Sequence, residues 1–155
     1  LRQMPVKTIR TWVIVAICIA ALIGFADATY LTVEHYIGGI PPCSPGFDCE
    51  KVTTSEYSQI LGIPVALLGS LYYFVILLAT LVYFDTRKKF IALGVFAIAP
   101  LGLASAVWFT SLQIFVIKAF CPYCLLSAGT STLIFIFAMI GYRLYATGSE
   151  DVMGQ

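Results

Sequence analysis

Four uninterrupted apolar stretches, at about residues 12–30, 63–84, 91–117 and 123–142, constrain this chain more than any other feature. A helix needs about 20 apolar residues to cross the hydrocarbon of a bilayer, and each run is near or above that length. Spanning strands must close a barrel and alternate apolar with polar positions. These runs are continuous, so they read as helices. Charge agrees: 11% of the 155 residues are charged, against about 25% in a soluble domain. The expected fold is an all-α integral membrane four-helix bundle, a single domain over residues 1–155. Its one long polar segment is an outer loop at 36–62 carrying a short half-helix. A net charge of +1 leaves no basic face for nucleic acid.

Lysine and arginine favour the cytoplasmic side of short loops. Arg2, Lys7 and Arg10 precede the first span, Arg87, Lys88 and Lys89 join the second to the third, and Arg143 follows the fourth. Only Lys51 and Lys118 fall on the opposite side. Both termini and the 85–89 connection are therefore expected in the cytoplasm of a cell with an inner (cytoplasmic) membrane. The outer loop and the "KAFCPYC" corner are expected to face the periplasm. The basic start, the apolar run to Phe25 and then Ala26-Asp27-Ala28 imitate a cleavable secretory signal. The amphipathic continuation "TYLTVEHY" favours retention of the first span, and cleavage would not change the side on which the cysteines lie.

Cysteine placement is the strongest functional signal. Cys18 lies mid-span among apolar neighbours and reads as a small buried hydrophobe. The other four, Cys43, Cys49, Cys121 and Cys124, all map to the outer side, where disulfides persist. Three readings compete: a redox relay, two structural disulfides in a non-catalytic scaffold, and a four-thiolate zinc site. The oxidising side and the wide Cys43-to-Cys49 spacing disfavour zinc. "CPYC" opens a helix, with Pro122 at the favoured first position. The helix N-terminus stabilises a thiolate there, whereas so short a loop gains little as a staple. A thiol at that height also meets the hydrocarbon edge, within reach of a lipid-soluble oxidant. Redox chemistry is the preferred reading, and four cysteines still allow three pairings.

In "IPPCSPGFDCEKVTTSEYSQILGIP", Pro41, Pro42, Pro45 and Gly46 place Cys43 in irregular backbone. Cys49 precedes a helix-compatible stretch at 50–60. The small residues from Ser127 onward either make room for a ligand or let helices pack closely. Ser127 and Ala128, one turn below Cys124, are the pocket candidates. Asp27, the one carboxylate within a span, is a functional candidate by its position. Interfacial hydration explains it equally, and His35 reads as interfacial. Tyr72, Tyr73 and Trp108 read as packing or interfacial anchors.

The pieces "DATYLTVEHYIG", "CSPGFDCEKVTTSEYSQILGIPVALLG" and "FCPYCLLSAG" together resemble bacterial homologues of vitamin K epoxide reductase. These are four-helix membrane oxidoreductases of disulfide formation. The resemblance runs in order over about residues 10–145, and the joint spacing of both cysteine pairs is its most specific part. The unrelated four-helix quinone-linked thiol oxidases carry their close pair in the first outer loop, whereas here it comes last.

The resemblance implies a relay. Cys43 is attacked by a separate, reduced thioredoxin-fold periplasmic protein. Cys49 passes electrons to Cys121, and Cys124 hands them to a quinone, ubiquinone or menaquinone, lying in the bundle. Ser55, six residues after Cys49, matches a serine that supports this region in the family. Two departures stand out. Ala128 occupies a position where the animal enzymes carry tyrosine, and "PVALLGSLYY" offers no counterpart of their pocket asparagine. Both point to a respiratory quinone rather than vitamin K epoxide.

Overall fold

The computed structural model describes residues 10–153, with side chains through Ala146. Arg2 and Lys7 lie outside the described residues. Four helices long and apolar enough to cross a membrane make up most of the chain: α1 (Thr11–Ile37), α3 (Val65–Thr86), α4 (Lys89–Ser111) and α5 (Pro122–Met153). The π-helical turn Leu112–Ile117 continues α4, and α2 (Cys49–Thr53) is the short helix of the outer loop. The all-α membrane bundle expected from the sequence is the fold that forms, and the chain is a multi-pass membrane protein.

The four long helices form a closed ring, α1 against α3, α3 against α4, α4 against α5, and α5 back against α1. Val13, Ile17, Ala21, Tyr73, Ile76, Val95, Ala99 and Ile134 fill its centre. Close approach depends on small residues. Gly24 of α1 leaves room for the Tyr73 ring, which a methyl group there would strike. Side chains pointing outward are also apolar, among them Ile19, Leu22, Leu71, Val82 and Val107. In water so much exposed apolar surface would drive aggregation; in hydrocarbon it is the natural contact face. Hydroxyls inside the spans donate back to their own helix, as Thr80 does to Ile76 O and Thr132 to Ala128 O, at 2.7 and 2.8 Å. Arg87 stacks over Phe84 and Tyr83 at the basic end, 5.1 and 5.9 Å from the ring centroids.

The outer loop departs from the expected helix at 50–60. α2 stops at Thr53, a 3₁₀ turn covers Glu56–Ser58, and a two-stranded ladder follows, β1 (Gln59–Ile60) against β2 (Ile63–Pro64). The β-branched run Val52-Thr53-Thr54 weakens a helix. Hydroxyls of Thr53, Thr54 and Ser55 also bond back to Cys49 O, Glu50 O and Val52 O, local partners that compete with helix continuation. Leu61 and Gly62 then take φ of 53° and 80°, the double positive φ of a two-residue hairpin turn.

Candidate functional site

α5 begins at Pro122, whose missing N–H costs nothing in a first turn, and Cys121 immediately precedes it with no exposed surface. The segment leading to Cys121 is held by one residue of the π-helical turn. Gln113, itself buried, accepts the Ala119 N–H on its backbone oxygen at 3.2 Å and the Cys121 N–H on Oε1 at 3.0 Å. Lys118 turns the chain between them with φ of 53°.

The outer loop is pinned onto this corner. Asp48 N–H donates to Phe120 O at 3.1 Å, and Tyr123 Oη donates to Pro42 O at 3.2 Å. Asp48 caps α2 by accepting from Lys51 N–H at 3.0 Å, so the helix carrying Cys49 starts where the loop meets "FCPYC". All four outer cysteines gather in one cluster as a result. Cys49 and Cys121 are buried in it with Val52 and Ala119, and Cys43 and Cys124 pack against its sides. Cys43 and Cys49 are joined by a disulfide with Cα atoms 6.0 Å apart; Cys121 and Cys124 are free thiols. Cys43 is partly exposed and Cys49 is not. Cys18 packs against the main core instead.

The Cys121 thiol is acidified. A hydrogen bond with the Cys124 thiol is the main cause, assisted by backbone N–H groups of the first turn, and pulls its pKa down to about 7. Burial and the charge of Asp27 push the other way and are outweighed. Asp27 is itself buried, with Oδ2 lacking a hydrogen-bond partner. Among the described residues no group of three or more His, Cys, Asp or Glu side chains is arranged to hold a metal ion.

On the other side of Cys124 lies a cavity of about 1080 Å³, at the upper end of ordinary ligand sites. It runs from the end of α1, under the segment from Thr53 to Ile60, and down between α3, α4 and α5. Cys124, Ser55, Ser127 and Ala128 all line it, and so does His35, whose Nε2 accepts from Gln59 Nε2 at 3.2 Å. Most of the remaining wall is apolar, including Leu68, Leu101, Gly102 and Phe109. A long, mostly apolar space with a thiol on its wall, hydroxyl-bearing residues from the outer loop, α3, α4 and α5, and Glu34 and Glu56 near the outer loop has room for a flat ring compound with an apolar tail. Ser55 reaches this wall with its proton already donated to Val52 O at 2.8 Å, so in this arrangement it offers lone pairs.

Sequence reading missed two residues here. Gln113 is an uncharged amide inside an apolar run, a polar group that needs a partner in a membrane, and that oddity was the available signal. Tyr72, read as packing, borders the cavity, and its buried, unpartnered hydroxyl packs against Gly102 of α4; nothing in the sequence separates it from Tyr73. A family model described as the Vitamin K epoxide reductase family matches residues 15–139. No curated protein matches the chain significantly.

Proposed function

We propose a function from the premise that the match establishes: the chain belongs to the Vitamin K epoxide reductase family. A redox role carried by cysteines follows from that membership. The finer reading is a quinone-dependent thiol oxidoreductase that drives disulfide formation in exported proteins. It works as a single four-helix domain with its cysteines on the periplasmic side of the inner membrane and both termini in the cytoplasm. The basic end formed by Arg10, Arg87, Lys88, Lys89 and Arg143 supports that orientation.

One observation carries the reading: a partly exposed disulfide, a thiol pair with Cys121 buried and Cys124 half-buried, and a long, mostly apolar cavity adjoin in that order from outside to inside. A thiolate of a separate thioredoxin-fold protein attacks the Cys43 sulfur, and the Cys43–Cys49 bond breaks with Cys49 as leaving group. The second partner thiol then displaces Cys43, leaving the partner oxidised and Cys43 and Cys49 reduced. Cys49 attacks Cys121 of an oxidised inner pair and frees Cys124, and Cys43 resolves the mixed disulfide by attacking Cys49. The outer pair is oxidised again and the inner pair now holds the two electrons, which is the state of the described structure. A quinone in the cavity supplies the acceptor for two electrons and two protons, so that the Cys121/Cys124 dithiol becomes a disulfide. Cys124 lies on the cavity wall and makes that contact, with Ser127 and Ala128 leaving room beside it.

The test follows quinone absorbance with purified protein, a ubiquinone or menaquinone analogue and a reduced dithiol. Steady turnover is expected, falling to the uncatalysed background in Cys124→Ser. Cys43→Ser should lose turnover with a protein donor and keep part of it with a small dithiol that enters lower in the relay. No turnover with either quinone in folded protein would return the cysteines to a structural role.

A further inference from the structure

Most polar side chains on the cavity wall are already paired. Thr53, Thr54 and Ser55 donate to carbonyls of α2, Ser105 donates to Leu101 O at 2.9 Å, and Gln59 pairs with His35. Tyr73 donates to Ser127 O at 2.6 Å and so clamps α3 to α5. The Tyr72 hydroxyl is sealed against Gly102 of α4 and offers nothing to a ligand. Gln113 differs from all of these.

Gln113 lines the cavity from the π-helical turn and is otherwise buried. Its amide has two ends, an oxygen that only accepts and a nitrogen that only donates. The oxygen is assigned by its partner: Oε1 accepts the Cys121 N–H at 3.0 Å, a bond the nitrogen could not make. The nitrogen carries two N–H donors and takes part in no hydrogen bond. Nor is it sealed in, because the described buried side-chain atoms that lack a partner are Asp27 Oδ2 and Tyr72 Oη. The surface that exposes Nε2 is therefore the one Gln113 gives to the cavity. Two free donors on a mostly apolar wall inside a membrane protein call for an acceptor.

We propose that Gln113 Nε2 donates a hydrogen bond to a carbonyl oxygen of the quinone held in this cavity, while Oε1 keeps its hold on the Cys121 backbone. The inference rests on the reading of the cavity as a quinone site. One planar amide then ties the ligand to the segment that carries the inner thiols. Oε1 is 3.0 Å from Cys121 N, and Leu125 N–H donates to Cys121 O at 3.0 Å to close the first turn of α5. Cys124 belongs to that turn and to the cavity wall. A carbonyl held by Nε2 therefore seats the ring beside Cys124. The same donor stabilises the negative charge that reduction builds on that oxygen. An apolar molecule of the same shape leaves both N–H groups unpaired, so the amide also selects a ligand that brings an acceptor.

The experiment uses the full chain in detergent with Cys124→Ser, so that bound ligand is not consumed, and with its glutamine side-chain amides isotopically labelled for magnetic resonance. The probe is a short-tailed ubiquinone analogue labelled at its carbonyl carbons. The Gln113 signal is the one missing from Cys124→Ser/Gln113→Met. On titration that signal should move and saturate with the ligand, and infrared difference spectra should place the bound carbonyl band below that of free quinone. In the double variant the band should return toward the free frequency. Its Kd by calorimetry should rise about threefold to tenfold, the share of one neutral hydrogen bond. A Gln113 signal that stays in place at saturating quinone, or a carbonyl band that is the same in both proteins, overturns the inference and leaves the cavity a quinone site. If the double variant does not fold, replacing the other three glutamines by asparagine leaves Gln113 as the one labelled amide, and the movement of its signal decides alone. No saturable binding to either protein overturns the reading of the cavity and the inference with it.

Discussion

Near the end of the bundle that carries Arg10, Arg87 and Arg143, the helices close on one another. Ile14, Ile17, Thr80, Tyr83, Ala92, Val95 and Phe96 surround a void of about 10 Å³, barely room for one water. At the cysteine end the same four helices leave about 1080 Å³ between them. Side-chain volume makes the difference. The closed end is filled by branched and aromatic side chains, whereas Gly69, Gly102, Ala106, Ser127 and Ala128 face the open end. One half of the ring supplies cohesion, and the other half gives up packing contacts to make room. What holds the open half together is largely polar: Tyr73 to α5, Thr29 Oγ1 to Ser70 Oγ at 2.9 Å, and Gln113 to the Cys121 backbone.

The sharpest way to break this comparison is to exchange bulk between the two ends. Ile17→Ala should cost about 2–5 kcal/mol, because a buried side chain is lost where the neighbours cannot collapse, and unfolding in detergent would measure it. Ala128→Phe at the open end should change the unfolding midpoint little and take quinone reduction close to background. Similar losses of stability from both substitutions would erase the distinction. A smaller effect is expected at the joint between loop and bundle. Gln113→Leu leaves the Cys121 N–H unpaired and should cost about 1–3 kcal/mol. It should also slow electron passage from the outer to the inner cysteine pair, readable by trapping the Cys49–Cys121 mixed disulfide.

The smallest effect is in pH. The Cys121 thiol ionises at about 7 in the folded protein, below its ordinary value of 9.0, so the native state favours the thiolate. For the reduced protein this contribution to stability is fully present above the ordinary value and is lost as pH falls through about 7. Ultraviolet thiolate absorbance against pH should show the low transition. In Cys124→Ala the hydrogen bond that chiefly lowers it is gone, and the transition should move up. A transition that stays in place would assign the acidity to the helix N-terminus instead.

Much of this was legible in the residues. Continuous apolar runs fix helices because lipid offers no partner for a free backbone N–H or C=O. "CPYC" marked the start of α5 because Pro122 suits a first helical turn. The two cysteine pairs carried the family resemblance, which the match over residues 15–139 supports at the level of the family. The outer loop was less legible: Thr53, Thr54 and Ser55 permit a helix by composition, and only their bonds back to nearby carbonyls show why it stops.

The sequence by itself determined four spanning helices, their basic end and two cysteine pairs on the opposite side, since each of these depends on local composition and on the chemistry of the bilayer. Only the tertiary structure decided which side chains meet across helices. It separated Tyr72 from Tyr73, adjacent and chemically identical, by turning the Tyr73 hydroxyl to the oxygens of α5 and packing the Tyr72 hydroxyl against Gly102 of α4. It set Gln113 under Cys121. Neighbours on a helix differ in direction by about 100°, so what each one touches depends on where the other helices lie.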